Sequence, residues 1–151
     1  MNKIPLFGHK KTNQRNNDRA VLDAINRSQA VIEFALDGTI LSANANFLTA
    51  MGYDASEVIG RNHRMFVEAG ADEGEYAAFW DRLRAGRFDT GEYKRVGKGG
   101  REVWIQASYN PVLDADGKPI KVIKFASDIT AAKLAAADTR GQLDAISKSR
   151  R

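Results

Sequence analysis

Few residues in this chain can do chemistry, and their placement separates them. There are two histidines, His9 and His63, two tryptophans, Trp80 and Trp104, and no cysteine. Without cysteine there is no disulfide, no thiolate metal site and no thiol nucleophile. That usage fits a reducing cytoplasm. His9 lies in a polar lead. His63, in the stretch GRNHRMFV, is therefore the histidine placed to ligate a metal or exchange a proton. The carboxylate pairs Asp72/Glu73 and Asp114/Asp116 fall in turn sequences, where bonds to nearby backbone account for them. The run GKGG at 97–100 joins two strand-like segments with no helix behind it, so it is not a phosphate loop. No G-x-S-x-G elbow occurs. These features predict a binding module, not an enzyme.

The elements that must position these residues follow from periodicity. Residues 1–17 are polar and aperiodic and read as a disordered lead. Residues 18–29 read as a flanking helix, with Val21, Leu22 and Ile25 as an apolar stripe and Asp18 as its cap. Ala30 to Phe34 is a β-rich run, Asp37-Gly38 a tight turn, and Thr39 to Leu41 a second run. Asn44 to Met51 reads as a short helix stopped by Gly52, with Asn44 or Asn46 as its cap. Glu75 to Arg84 is a clearer helix, with Tyr76, Phe79, Trp80 and Leu83 on one face. Phe88 to Val96, Glu102 to Leu113 and Ile120 to Ala126 read as three strands joined by tight turns, and residues 131–147 as an Ala-rich helix. Helix, hairpin, short helices, meander and exit helix predict an α+β fold, an antiparallel sheet with helices on one face.

At 151 residues and 43% hydrophobic content, one domain with a real core is expected. The net charge of +4 gathers at the two ends, which read as solvated tails; no nucleic-acid partner is expected. No run of about 18 apolar residues occurs, so no membrane span is expected and a cytoplasmic location is. LDAINRSQ at 22–29 recurs as LDAISKSR at 143–150. That recurrence predicts a tandem array in which residues 131–151 link to a second copy of the domain.

Two stretches carry a family resemblance: NANFLTAMGYDASEVIGRN after the hairpin, and GGREVWIQASYNPVLDADGKPIKVIKFASDIT near the far end. Together they resemble the PAS family over roughly residues 28–130, with EYKRVGKGGREVWIQASYNPV most like PAS domains of soluble bacterial chemoreceptors and aerotaxis transducers. The resemblance implies a PAS fold, with a five-stranded antiparallel sheet and short helices on one face, spanning residues 30–130. It implies a sensory input domain for redox state, oxygen or another small ligand. Homodimerisation through the N-terminal helix and a chemoreceptor signalling domain downstream are also implied. An input domain of a histidine kinase and a cofactor-free interaction module are the alternatives.

The same resemblance implies a ligand between sheet and helices. A flavin–cysteine photoadduct lacks its cysteine. Non-covalent FAD is implied by Trp80 and Asn62, which match positions of flavin-binding relatives; Arg95 departs from them, standing where flavin-type domains carry an asparagine. Haem b is the alternative and would take His63 as its metal ligand. A pocket without cofactor stays open. Asn46 is a further candidate pocket residue. Trp104 and Gln106 share one strand face, which points either into the pocket or outward to a partner. Asp128, Ile129 and Thr130 match the segment that joins a PAS core to its outgoing helix, and so are the expected signal output.

Overall fold

The computed structural model describes the backbone of residues 6–149 and the side chains of residues 11–141. Five strands, β1 (Ala30–Phe34), β2 (Ile40–Ala43), β3 (Asp89–Val96), β4 (Glu102–Leu113) and β5 (Pro119–Asp128), form one antiparallel sheet in the order β2-β1-β5-β4-β3. The last strand is thus the central one. Helices α2 (Ala45–Met51), α3 (Ala55–Val58) and α4 (Glu73–Arg84), with a 3-10 turn at His63–Phe66, connect β2 to β3. The α+β, PAS-type arrangement expected from the sequence is the one observed.

The core lies between the sheet and these helices, and alternation along the strands decides what enters it. In β4, Val103, Ile105, Ala107 and Tyr109 point inward and are buried. In β5, Val122, Lys124 and Ala126 do the same. From the helices come Phe47, Met51, Val58, Phe66, Phe79, Trp80 and Leu83. Gly52 ends α2 in the left-handed region, as the sequence predicts.

The turn between β1 and β2 sets the position of the 3-10 turn. Gly38 has φ +90°, a conformation that favours glycine. A Cβ there would also meet the Asn62 amide at 3.2 Å and the Trp80 ring at 3.4 Å. Its carbonyl accepts from the His63 N–H at 2.8 Å, and the Asn62 amide donates to the Asp37 carbonyl at 3.1 Å. The hairpin turn therefore holds His63 against the core.

At the N-terminus the structure corrects the sequence reading. The lead is helical from Leu6, and α1 runs unbroken to Ser28. Asp18 is inside that helix, accepting from Gln14 at 3.0 Å, and does not cap it. Lys, Gln and Arg have good helix propensity without any apolar period, so a search for periodicity misses such a segment. The stripe of Val21 and Leu22 is half exposed, each at 51%. At the other end α5 (Thr130–Ser149) leaves the sheet as expected. The repeat at 143–150 lies outside the residues whose side chains are described.

Candidate functional site

The interior holds a hydrogen-bonded line of polar side chains that runs across the core. His63, fully buried, is bonded through Nδ1 to the Tyr76 hydroxyl at 2.9 Å and through Nε2 to the Tyr109 hydroxyl at 3.0 Å. The Tyr109 oxygen also accepts from Arg95 Nη2 at 3.0 Å and Nε at 3.3 Å. The line thus passes from α4 through the 3-10 turn to β4 and the edge strand β3. Lys124, 1% exposed on β5, places its ammonium 4.8 Å from the Tyr109 ring centre and 5.7 Å from that of Phe47.

Counting donors and acceptors fixes the protons. Burial, reinforced by Lys124 and then Arg95, holds His63 well below its ordinary value of 6.5, so the ring is neutral. Burial raises the Tyr109 phenol, which stays protonated. Arg95 fills the two lone-pair directions of the Tyr109 oxygen, so the Tyr109 O–H must donate, and His63 Nε2 receives it. The His63 proton is then on Nδ1, donated to Tyr76. Arg95, Tyr109, His63 and Tyr76 form one polarised chain whose outer end, the half-buried Tyr76, faces the surface.

Aromatic edges close around this chain. Phe34, Trp80 and Tyr109 meet His63 edge-on with centroids at 5.2, 5.4 and 5.6 Å, and Phe79 meets Tyr109 at 4.8 Å. Trp80 is 5% exposed and edge-packed on Phe34 and Phe79 as well.

The remaining residues singled out from sequence are dispersed. Asn62 is exposed and caps the 3-10 turn, accepting from the Arg64 N–H at 3.0 Å. Asn46, also exposed, donates to the carbonyls of Asn26, Arg27 and Gln29 at the end of α1. Asn44 is the α2 cap, accepting from the Phe47 N–H at 2.9 Å. Arg95 joins the interior chain. Trp104 and Gln106 lie on the outer face of β4, where the Lys133 ammonium sits 4.9 Å from the Trp104 ring centre.

Asp128, Ile129 and Thr130 fasten the start of α5 to β4. The Ile129 N–H donates to the Trp104 carbonyl at 2.8 Å, and Thr130 Oγ1 accepts from the Trp104 N–H at 3.0 Å. The Asp128 carboxylate accepts from the Thr130 N–H at 2.9 Å. Lys133 adds an ion pair to Glu92 on β3 at 2.6 Å.

Sequence reasoning missed Tyr76 and Tyr109 as polar partners of His63, and missed Lys124 altogether. A signal for Lys124 was present. It shares the parity of Val122 and Ala126, so a lysine stands on the strand face that two apolar neighbours mark as buried.

The model of the PAS fold matches residues 40–126, more than half of the chain. The chain belongs to the PAS family. Over 118 residues this PAS domain is 52% identical to the biofilm dispersion protein BdlA of Pseudomonas aeruginosa, covering 78% of this chain and 28% of that protein. It is 30% identical over 125 residues to a blue-light-activated histidine kinase of Brucella ovis, covering 74% of this chain and 25% of the kinase. A solved light-oxygen-voltage domain, studied with a flavin analogue, superposes with a TM-score of 0.65 at 22% identity, over 83% of this chain and 96% of that one. That likeness shows the PAS fold. The chain spans about a quarter of the length of these two curated relatives. Among the described residues of the PAS domain, no helix is long and apolar enough to cross a membrane.

Proposed function

We propose that this PAS domain is the non-enzymatic sensory input unit of a chemotaxis-type signal transducer, reading a small ligand through the Arg95–Tyr109–His63–Tyr76 chain. One observation carries the reading: β4 bears both Tyr109, at the centre of that chain, and Trp104, to which Thr130 fastens the exit helix. A change of partner at Tyr109 acts on the strand that holds α5. The two arrangements of such a latch form a bistable output. The half-exposed stripe of Val21 and Leu22 on α1 supports pairing with a second copy of the chain. The recurrence at 143–150 supports a second PAS unit downstream, and a cytoplasmic location goes with this reading.

Replacing Thr130 by valine tests the output path. The variant keeps the shape of the side chain and removes the bond to the Trp104 N–H. Amide exchange in the first turns of α5 is expected to rise by roughly tenfold, the worth of one such bond, while the sheet keeps its protection. Unchanged exchange in α5 would remove the latch from the mechanism.

A resident cofactor does not fit the residues as they stand. Haem ligation by His63 requires a ring nitrogen that is now bonded to a tyrosine hydroxyl. A flavin against Trp80 requires space now taken by Phe34, Phe79 and His63. Asn62, the other residue matched to flavin-binding relatives, is turned to its own backbone. The relatives named for light sensing support a second reading, a flavin-loaded interior, with FAD as the form expected from sequence. The absorption spectrum decides between them. Protein purified from a host supplied with riboflavin and haem is expected to be colourless. A flavin band or a Soret band retained through gel filtration would establish the cofactor reading instead.

A further inference from the structure

The basic groups around Tyr109, Arg95 and Lys124, make no ion pair among the described residues. Arg95 contacts the Tyr109 hydroxyl, stacks with its guanidinium carbon 4.8 Å from the Tyr93 ring centre, and makes no ion pair among the described residues. Lys124, behind the same ring, is likewise outside every ion pair among the described residues. Two cations in or beside a low-dielectric interior without a carboxylate are costly unless an anion joins them.

A route for such an anion exists. A groove of about 390 Å³ between α4 and β3 reaches Arg95, within the range of roughly 300–1,000 Å³ usual for small-molecule sites. Val67, Ala71, Ala78, Phe79 and Tyr93 give it an apolar wall, and charged side chains line the rest. The charges at its rim are mostly engaged. Arg82 pairs with Asp89 at 3.3 Å, Asp89 also accepts from the Tyr93 hydroxyl at 3.0 Å, and the Asp72 carboxylate is used in capping α4. Glu75 is the exposed acid that remains, and it points the field at the mouth away from anions. Arg95, half-buried, and Glu75, exposed, are the charged groups of the groove without an ion pair among the described residues.

We propose that this groove binds a small carboxylic acid with a short apolar body, its carboxylate taken by the Arg95 guanidinium and its hydrocarbon by Phe79 and Tyr93. The inference rests on the sensory reading above and names its ligand class. The guanidinium fork suits a carboxylate better than it suits a phenol oxygen, because both oxygens accept and both are charged. Binding therefore draws Arg95 off Tyr109. That leaves the Tyr109 oxygen without its Arg95 donors, bonded only to His63. That gives the ligand two distinguishable states of β4 to select between.

The experiment measures binding to the purified chain by calorimetry and thermal shift. Butyrate and benzoate are the probes, with butyramide and benzamide as neutral twins. The acids are expected to bind and raise the melting temperature, and the amides not. Arg95→Gln should weaken the acids roughly ten- to a hundredfold, the worth of a charge-assisted fork. Lys98→Gln, at a cation paired with Glu57 outside the groove, should leave affinity within about twofold. Absent binding, equal binding of acid and amide, or full affinity in a folded Arg95→Gln would each overturn the proposal. Should Arg95→Gln fail to fold, the comparison of acid with amide on the wild-type chain decides alone. Failure here is separable from failure of the sensory reading. Acids that bind while Thr130→Val leaves α5 unchanged sink the latch and keep the site; a responsive latch with no acid bound does the reverse.

Discussion

Tyr109→Phe is expected to lower the unfolding free energy by about 2–4 kcal/mol, although it changes neither the volume nor the apolar contacts of the core. The ring, with its edge contacts to His63, Phe79 and Tyr93, stays. What goes is the hydroxyl that joins His63 Nε2 to Arg95. Arg95 is half-buried and can turn to water, so its share of the loss is small. His63 is fully buried, and its Nε2 lone pair would face hydrocarbon, at a cost of ~1–3 kcal/mol for the orphaned acceptor alone. The ring cannot correct this by protonating, because burial and the neighbouring Lys124 and Arg95 all oppose a charge there. Urea unfolding of the wild type, Tyr109→Phe, His63→Leu and the double variant checks the argument. Because the double variant leaves no orphan, it should lose clearly less than the sum of the single losses. Additive losses, or a Tyr109→Phe cost under about 0.5 kcal/mol, would mean that the chain does not act as a unit.

The sequence made the fold legible because its alternation is clean where it matters. Val103, Ile105, Ala107 and Tyr109 sit one residue apart from polar neighbours, and Asp37-Gly38 and Gly52 mark the turns that frame them. The strands and the helix face of Tyr76, Phe79, Trp80 and Leu83 follow directly. The site was less legible for three physical reasons. A sheet has two faces, and parity groups residues without saying which group is covered, so the facing of Trp104 and Gln106 stayed open. The role of Asn46 depends on carbonyls at the end of α1, twenty residues earlier for the Asn26 contact and set by tertiary packing. The tyrosines that satisfy His63 come from positions 13 and 46 residues away and look in sequence like ordinary core aromatics. Lys124 is the different case. Its exposure as an oddity needed only the parity rule already applied to β4, carried one strand further.

Lys124→Met should stabilise the protein at neutral pH by about 1–4 kcal/mol, the range seen when buried charged groups yield to apolar ones of similar size. Methionine matches the length and flexibility of the lysine stem and fills the space between Phe47 and Tyr109. Two effects compete. The ammonium gains from the faces of Tyr109 and Phe47, worth up to about 2 kcal/mol in a desolvated setting. Against that stands the loss of water around a whole charge, several kcal/mol, with Arg95 adding repulsion instead of relief. Desolvation wins, and for the same reason the Lys124 proton affinity is held well below its ordinary value of 10.5. The pH dependence follows with a definite sign. The unfolded chain keeps the Lys124 proton up to about 10.5, while the folded chain releases it earlier. Over that window the unfolded state binds more protons, so wild-type stability rises with pH, and below the window the full penalty applies. The benefit of methionine is therefore largest below that window and shrinks as pH rises toward about 10. His63 contributes in the same sense at the acid end: it is neutral when folded and protonates freely below 6.5 when unfolded, so stability falls as pH drops through that value. Removing Lys124 takes away one of the charges that oppose protonation of His63, and the acid loss should soften as well. Urea unfolding at neutral pH and at about pH 10 measures both slopes. A variant that is less stable at neutral pH, or one that keeps the alkaline rise, would place the ammonium in a better-solvated position than its 1% exposure implies.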